Sequence, residues 1–265
     1  MPRSQEKRKR RPSRAAWILG ALVLLLLIAA LFLFLPRPSA PQEPLPSLSA
    51  EERRAAGGLE PIALRRADSV YSLSPSLPVP FGDAVPDSYF DDALFIGDSL
   101  TNGLELFGNL KNADYFCATS ATVLGTLQSD ALAARLQSRS YGKIYFLLGI
   151  NEMGSDPEPW SENYAALIRK ARAAQPDAAI YVQTIFPVIA EKTWSASVFS
   201  KENIARANQA LCRMAREEGV YLLQTHWCFA DENDAMPADY TADGVHLYPS
   251  YYAIWCDYLR THTAP

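Results

Sequence analysis

A serine, an asparagine, and an aspartate placed three residues ahead of a histidine are the parts that acyl transfer requires, and this chain holds all four at separated points. They stand in Gly97-Asp98-Ser99-Leu100-Thr101-Asn102-Gly103, in Gly149-Ile150-Asn151-Glu152 and in Asp243-Gly244-Val245-His246. In that chemistry Ser99 is the nucleophile and His246 the base that takes its proton and returns it to the leaving group. Asp243 fixes the imidazole tautomer and stabilises the imidazolium. The oxyanion of the tetrahedral intermediate needs donors aimed at it. The Ser99 backbone N–H, the Asn151 side-chain amide and a backbone N–H from Ala118 to Thr122 are placed to supply them. Asp98, beside the nucleophile, reads as a turn residue that anchors its loop through backbone N–H bonds. His226 and His262 lack a neighbouring acid at this spacing and read as structural. Three dispersed histidines, with no His-x-x-x-His and no paired cysteines, imply no metal site and no cofactor.

These residues need a frame, and the pattern from Ser88 onward provides one. Short apolar runs at Ala93 to Ile96, Asp114 to Ala118, Lys143 to Leu148, Ala179 to Thr184 and Val220 to Leu223 predict five strands. Helical period runs between them, with Tyr164, Leu167, Ile168 and Ala171 along Trp160 to Ala174, and with Ile204, Ala207 and Leu211 along Glu202 to Glu218 before Gly219. Strands buried on both faces and joined by helices imply a five-stranded parallel sheet in a three-layer α/β/α sandwich. In such sheets ligands sit at the carboxyl ends of strands, where Ser99, Asn151 and the Asp243–His246 segment fall.

Of the 265 residues, 49% are apolar and 20% charged, which excludes a disordered polar tract or a small disulfide-stapled domain. The first 14 residues carry seven of the 25 Lys and Arg and one of the 29 Asp and Glu, a net +6 that leaves −10 for the rest. An acidic body is a poor partner for nucleic acid. Ala15 to Leu35 follows without a charge, and as a helix it would span ~31 Å, the thickness of a bilayer core. Residues 15–35 are therefore expected to be one uncleaved transmembrane helix. The basic residues 1–14 would be held in the cytoplasm, and everything after Leu35 sent outside the cell membrane. Ten of the 19 prolines lie in residues 36–87, an extended tether. Residues 88–265 form the expected catalytic domain.

FIGDSLTNG, GINE and DGVHL resemble the first, third and fifth blocks of the SGNH (GDSL-type) hydrolases, from about Tyr89 to Leu259 and in matching order. The resemblance implies an SGNH/flavodoxin-like sandwich, with Ser99 as nucleophile, Asn151 in the oxyanion hole, and Asp243 with His246 as the acid–base pair. Two departures stand out. Glu152 replaces the aspartate usual after the oxyanion asparagine, and Cys117 to Val123 lacks the glycine whose N–H usually completes the hole. Ala121, or else Ser120, is expected to supply that N–H instead. Together with the anchor, this implies an extracytoplasmic serine esterase acting on small acyl esters, acetyl foremost, of carbohydrate or cell-envelope substrates. The alternatives are an O-acyltransferase fed by a partner donor and a non-catalytic envelope scaffold. Cys117, Cys212, Cys228 and Cys256 allow three full disulfide pairings or buried thiols. Met153 to Trp160 and Ile189 to Phe199, with Trp194, are loops whose aromatics would either stack on sugars or close the core.

Overall fold

The computed structural model describes residues 79–193 and 198–264. Five strands, β1 (Ala93–Gly97), β2 (Asp114–Cys117), β3 (Lys143–Leu147), β4 (Ala179–Gln183) and β5 (Tyr221–Leu223), form one sheet in the order β2-β1-β3-β4-β5. Every pairing is parallel. The helices are α1 (Ser99–Phe107), α2 (Val123–Leu127), α3 (Asp130–Ser138), α4 (Pro157–Ala174), α5 (Lys201–Glu218) and α6 (Tyr252–Thr261). Each strand lies within one residue of its predicted ends, and the α/β fold is the one expected. Helix α4 packs between α2 and α5, whereas α1 packs with α6. The chain leaves β1 for β2 on one side and returns to β3 on the other. That reversal opens a crevice at the carboxyl ends of β1 and β3.

The local chemistry explains why these elements start and stop where they do. Helix α4 begins at Pro157 rather than at Trp160, because Asp156 caps the Glu158 N–H at 3.3 Å and proline suits the first helical position. Its buried stripe is Trp160, Tyr164, Leu167, Ile168 and Ala171. Helix α5 opens with Ser200 accepting from the Asn203 N–H and ends at Gly219 with φ +63°. Across the sheet, Tyr115, Phe95, Tyr145, Tyr181 and Tyr221 share one register, one aromatic ring per strand. Neighbouring centroids lie 5.3, 4.6, 4.5 and 5.2 Å apart. Stacked pairs of this kind add about 0.5–1.5 kcal/mol each beyond area burial, which stiffens the platform that carries the strand-end loops.

The basic tail at 1–14, the expected span at 15–35 and residues 36–78 of the tether lie outside the described residues. Among the described residues, no helix is long and apolar enough to cross a membrane. Residues 79–87 run against the domain. The Val79 N–H donates to Leu222 O, the Gly82 N–H to Thr261 O and the Val85 N–H to Arg260 O.

Candidate active site

Strand β1 ends directly beneath the first turn of α1, and the fit demands glycine. A Cβ on Gly97 would lie 1.9 Å from Thr101 Oγ1 and 2.6 Å from Leu147 O. Asp98 caps the helix, its Oδ1 accepting from the Leu100 N–H at 2.9 Å. Ser99 is thus the first helical residue, and its N–H has no place in the helical ladder.

His246 bridges the other two members of the set. Its Nε2 lies 2.8 Å from Ser99 Oγ and its Nδ1 lies 2.6 Å from Asp243 Oδ2. An ionised carboxylate only accepts, so Nδ1 carries the proton and Nε2 is the acceptor for the serine hydroxyl. Asp243 Oδ1 receives the His246 N–H at 2.8 Å, the Val245 N–H at 2.9 Å and the Thr241 hydroxyl at 3.2 Å. Partial burial pushes the Asp243 carboxyl up. The backbone and side-chain bonds from His246, with the Val245 N–H, outweigh this and hold it well below the usual carboxylate range. The segment is braced from outside by a Thr241–Leu247 bridge, by Tyr248 N–H to Tyr240 O at 2.8 Å, and by Ile189 N–H to Gly244 O at 3.2 Å. Thr241 and Ile189 are parts of the site that no motif announces.

On the opposite side of the crevice, Gly149 has φ +124°, and a Cβ there would lie 2.7 Å from Ile185 Cδ1. This turn presents Asn151, whose Nδ2 donates to Ala121 O at 2.9 Å. The next residue, Glu152, accepts the Val123 N–H at Oε1. Two bonds therefore stitch the 149–152 turn to the 118–123 loop, and the substituted acid has a definite structural partner. Within that loop the Ala121 N–H donates to Ala118 O at 3.1 Å and closes a turn. The expected donor at Ala121 is thus already engaged, whereas the N–H of Ser120, the alternative expected donor, makes no backbone hydrogen bond among the described residues. Ser120 is the third residue of the turn and has φ +60°, a position that favours glycine. A serine here bears about 1–2 kcal/mol of local strain. Ser120→Gly is expected to raise stability by roughly 0.5–1 kcal/mol after the extra chain entropy of glycine, a gain of about 2 °C in a thermal melt. A lower melting temperature would mean that the serine side chain holds the loop by a bond of its own.

The family model for GDSL-like lipases and acylhydrolases matches residues 95–254, a span that contains Ser99, Asn151, Asp243 and His246. The chain belongs to the GDSL-like lipase/acylhydrolase family. It is accordingly an ester hydrolase. Solved structures share its fold at low identity. A GDSL-like lipase from Bacteroides thetaiotaomicron is 15% identical, with 74% of this chain and 94% of that one covered and a TM-score of 0.51. A protein from Streptococcus pneumonia, provisionally described as a platelet activating factor, is 23% identical over 78% of this chain and 97% of its own, also with a TM-score of 0.51. Among curated protein sequences nothing matches.

The remaining candidates in this hydrolase take no part in the relay. His226 is buried, with Nδ1 2.8 Å from Ile185 O and Nε2 2.8 Å from Asp234 Oδ1. His262 stacks on Tyr258 with centroids 3.8 Å apart. All four cysteines are free thiols. Burial pushes Cys117 and Cys212 up to about 12 and Cys256 up to about 11, so none is poised as a nucleophile. Trp160 is buried against Tyr164 and closes the core rather than offering a face to sugars. Trp194 lies outside the described residues.

Proposed function

We propose that this GDSL-like hydrolase is a membrane-anchored, extracytoplasmic serine esterase that removes small acyl groups, acetyl foremost, from carbohydrate or cell-envelope polymers. The observation that carries the catalytic reading is the unbroken relay from Asp243 through His246 to Ser99, with both links at hydrogen-bond length. Ser99 Oγ attacks the ester carbonyl as its proton passes to His246 Nε2, and Asp243 steadies the imidazolium. The Ser99 N–H, the Ser120 N–H and the second hydrogen of Asn151 Nδ2 hold the oxyanion. Collapse of the intermediate expels the alcohol, which takes the proton back from His246. Water, activated by the same nitrogen, then frees the acyl group from the serine. The His246 and Asp243 side chains are 46% and 53% exposed, which suits an alcohol of any bulk leaving into solvent and water arriving to replace it. The apolar run at 15–35 and the basic head before it support the anchor and its orientation.

A fluorophosphonate probe applied to the full-length chain is expected to label one peptide, at Ser99, and acetylated glycans are expected to lose acetate. Labelling elsewhere, or none, would remove Ser99 as nucleophile. Acetate that appears on an added sugar instead of in solution would make the protein a transferase. Protease added to intact cells should digest the catalytic domain, and protection would reverse the orientation.

A further inference from the structure

Directly behind the nucleophile lies a set of buried polar atoms that ester cleavage leaves unused. Asp98 is 1% exposed, and while its Oδ1 takes the Leu100 N–H, its Oδ2 has no partner. Glu152 Oε2 is also buried and unpartnered, and a charge on Glu152 or on the buried Tyr164 hydroxyl would be felt at Asp98. An ionised Asp98 would therefore place part of its charge on a buried oxygen without a hydrogen-bond partner, in the field of a second carboxylate. Such a state is heavily disfavoured. Glu152 is the less buried of the two and is the better seat for the one negative charge that two coupled acids retain.

We propose that Asp98 serves this hydrolase as a neutral carboxylic acid, a positioning residue whose lack of charge leaves the positive end of α1 free to hold the oxyanion. The proposal rests on the esterase reading above. The Ser99 N–H is the first of α1, and the partial positive charge of that helix end falls where the oxyanion forms. A full negative charge on the adjacent capping residue would cancel it. Protonated Asp98 still caps the helix through Oδ1.

The titratable groups facing Asp98 are Glu152 after β3, Tyr164 on α4, His246 after β5, Tyr252 on α6 and Cys117 at the end of β2. Burial keeps Tyr164, Tyr252 and Cys117 protonated well above neutral pH. Burial raises Asp98 itself to about 7, with the Glu152 charge adding to the rise. Its ionisation thus falls at about neutrality.

The test compares the full-length parent chain with Asp98→Asn, which keeps the Oδ1 acceptor and cannot ionise. On p-nitrophenyl acetate the parent is expected to lose roughly tenfold in kcat between about pH 6 and about pH 8.5, with KM little changed, whereas the variant stays level. The melting temperature of the variant should pull ahead of the parent's as pH rises. The folded parent keeps a proton that its unfolded chain releases, so the parent loses stability between the unfolded carboxyl value and about 7. A carboxyl carbon NMR titration of the parent reads the same proton without any variant. Superposable kcat profiles, a constant melting gap, or an Asp98 carboxyl ionised by about pH 5 would each overturn the proposal. A parent that turns over no ester would sink the esterase reading and the catalytic half of this proposal, and the NMR titration decides the protonation state in either case.

Discussion

Ser99→Ala is expected to lower kcat/KM for p-nitrophenyl acetate by about 10⁴-fold or more and to leave the melting temperature within about 2 °C. The relay explains the size of the loss. Without Oγ, water must attack the ester directly, and His246 has no bound hydroxyl to deprotonate at 2.8 Å. What survives is the help given by the oxyanion donors and by binding. The small stability effect follows from the setting, because Ser99 is only partly buried and its side chain bonds outward to His246 rather than into the core. His246→Ala should cost nearly as much, and the double variant should cost little more than either alone, since the residues act as one unit. Residual activity within tenfold of the parent would place the nucleophile elsewhere. The cysteine thiols are poor candidates to replace it, as burial keeps them protonated.

The parts of this site that were readable in the sequence are those in which chemistry restricts residue type. A nucleophile, a base and its orienting acid admit few side chains, and the positions immediately after strands are few. Ser99, Asn151, Asp243 and His246 therefore stood out before any geometry was known. Strand positions were equally legible, because fully buried parallel strands leave runs such as Lys143–Leu147 with almost no polar interruption.

What stayed hidden depends on contacts between distant segments. The Ala121 N–H could not be known to bond Ala118 O, because that depends on the turn adopted between β2 and α2. The left-handed conformation needed in this loop falls on a serine, so the usual glycine signal was missing. Glu152 looked like a departure from the family pattern, yet its carboxylate reaches the Val123 N–H across the crevice. The one-ring-per-strand ladder required the register of all five strands, which no single strand encodes. Helices α2 and α3 are too short, at Val123–Leu127 and Asp130–Ser138, for a strong periodic signal.

Asn151→Ala is the second large expected loss, about 10²- to 10³-fold in kcat with KM close to that of the parent. An amide nitrogen carries two hydrogens, and the structure commits one of them to Ala121 O at 2.9 Å. That bond orients the amide, so the second hydrogen can meet an oxyanion without reorganising at the moment of reaction. The substitution also removes a tie between two loops, and this raises the question of whether a rate loss would be chemical or merely structural. The second tie answers it. Val123 N–H to Glu152 Oε1 is untouched by the change and keeps the 118–123 loop against the 149–152 turn, so the Ser120 donor should stay in place and the melting temperature should barely move. Because the missing donor acts on charge that exists only in the transition state, the loss belongs in kcat. A rise in KM with kcat preserved would show instead that Asn151 binds the ground-state substrate. A loss below about threefold would assign the oxyanion to the two backbone donors alone.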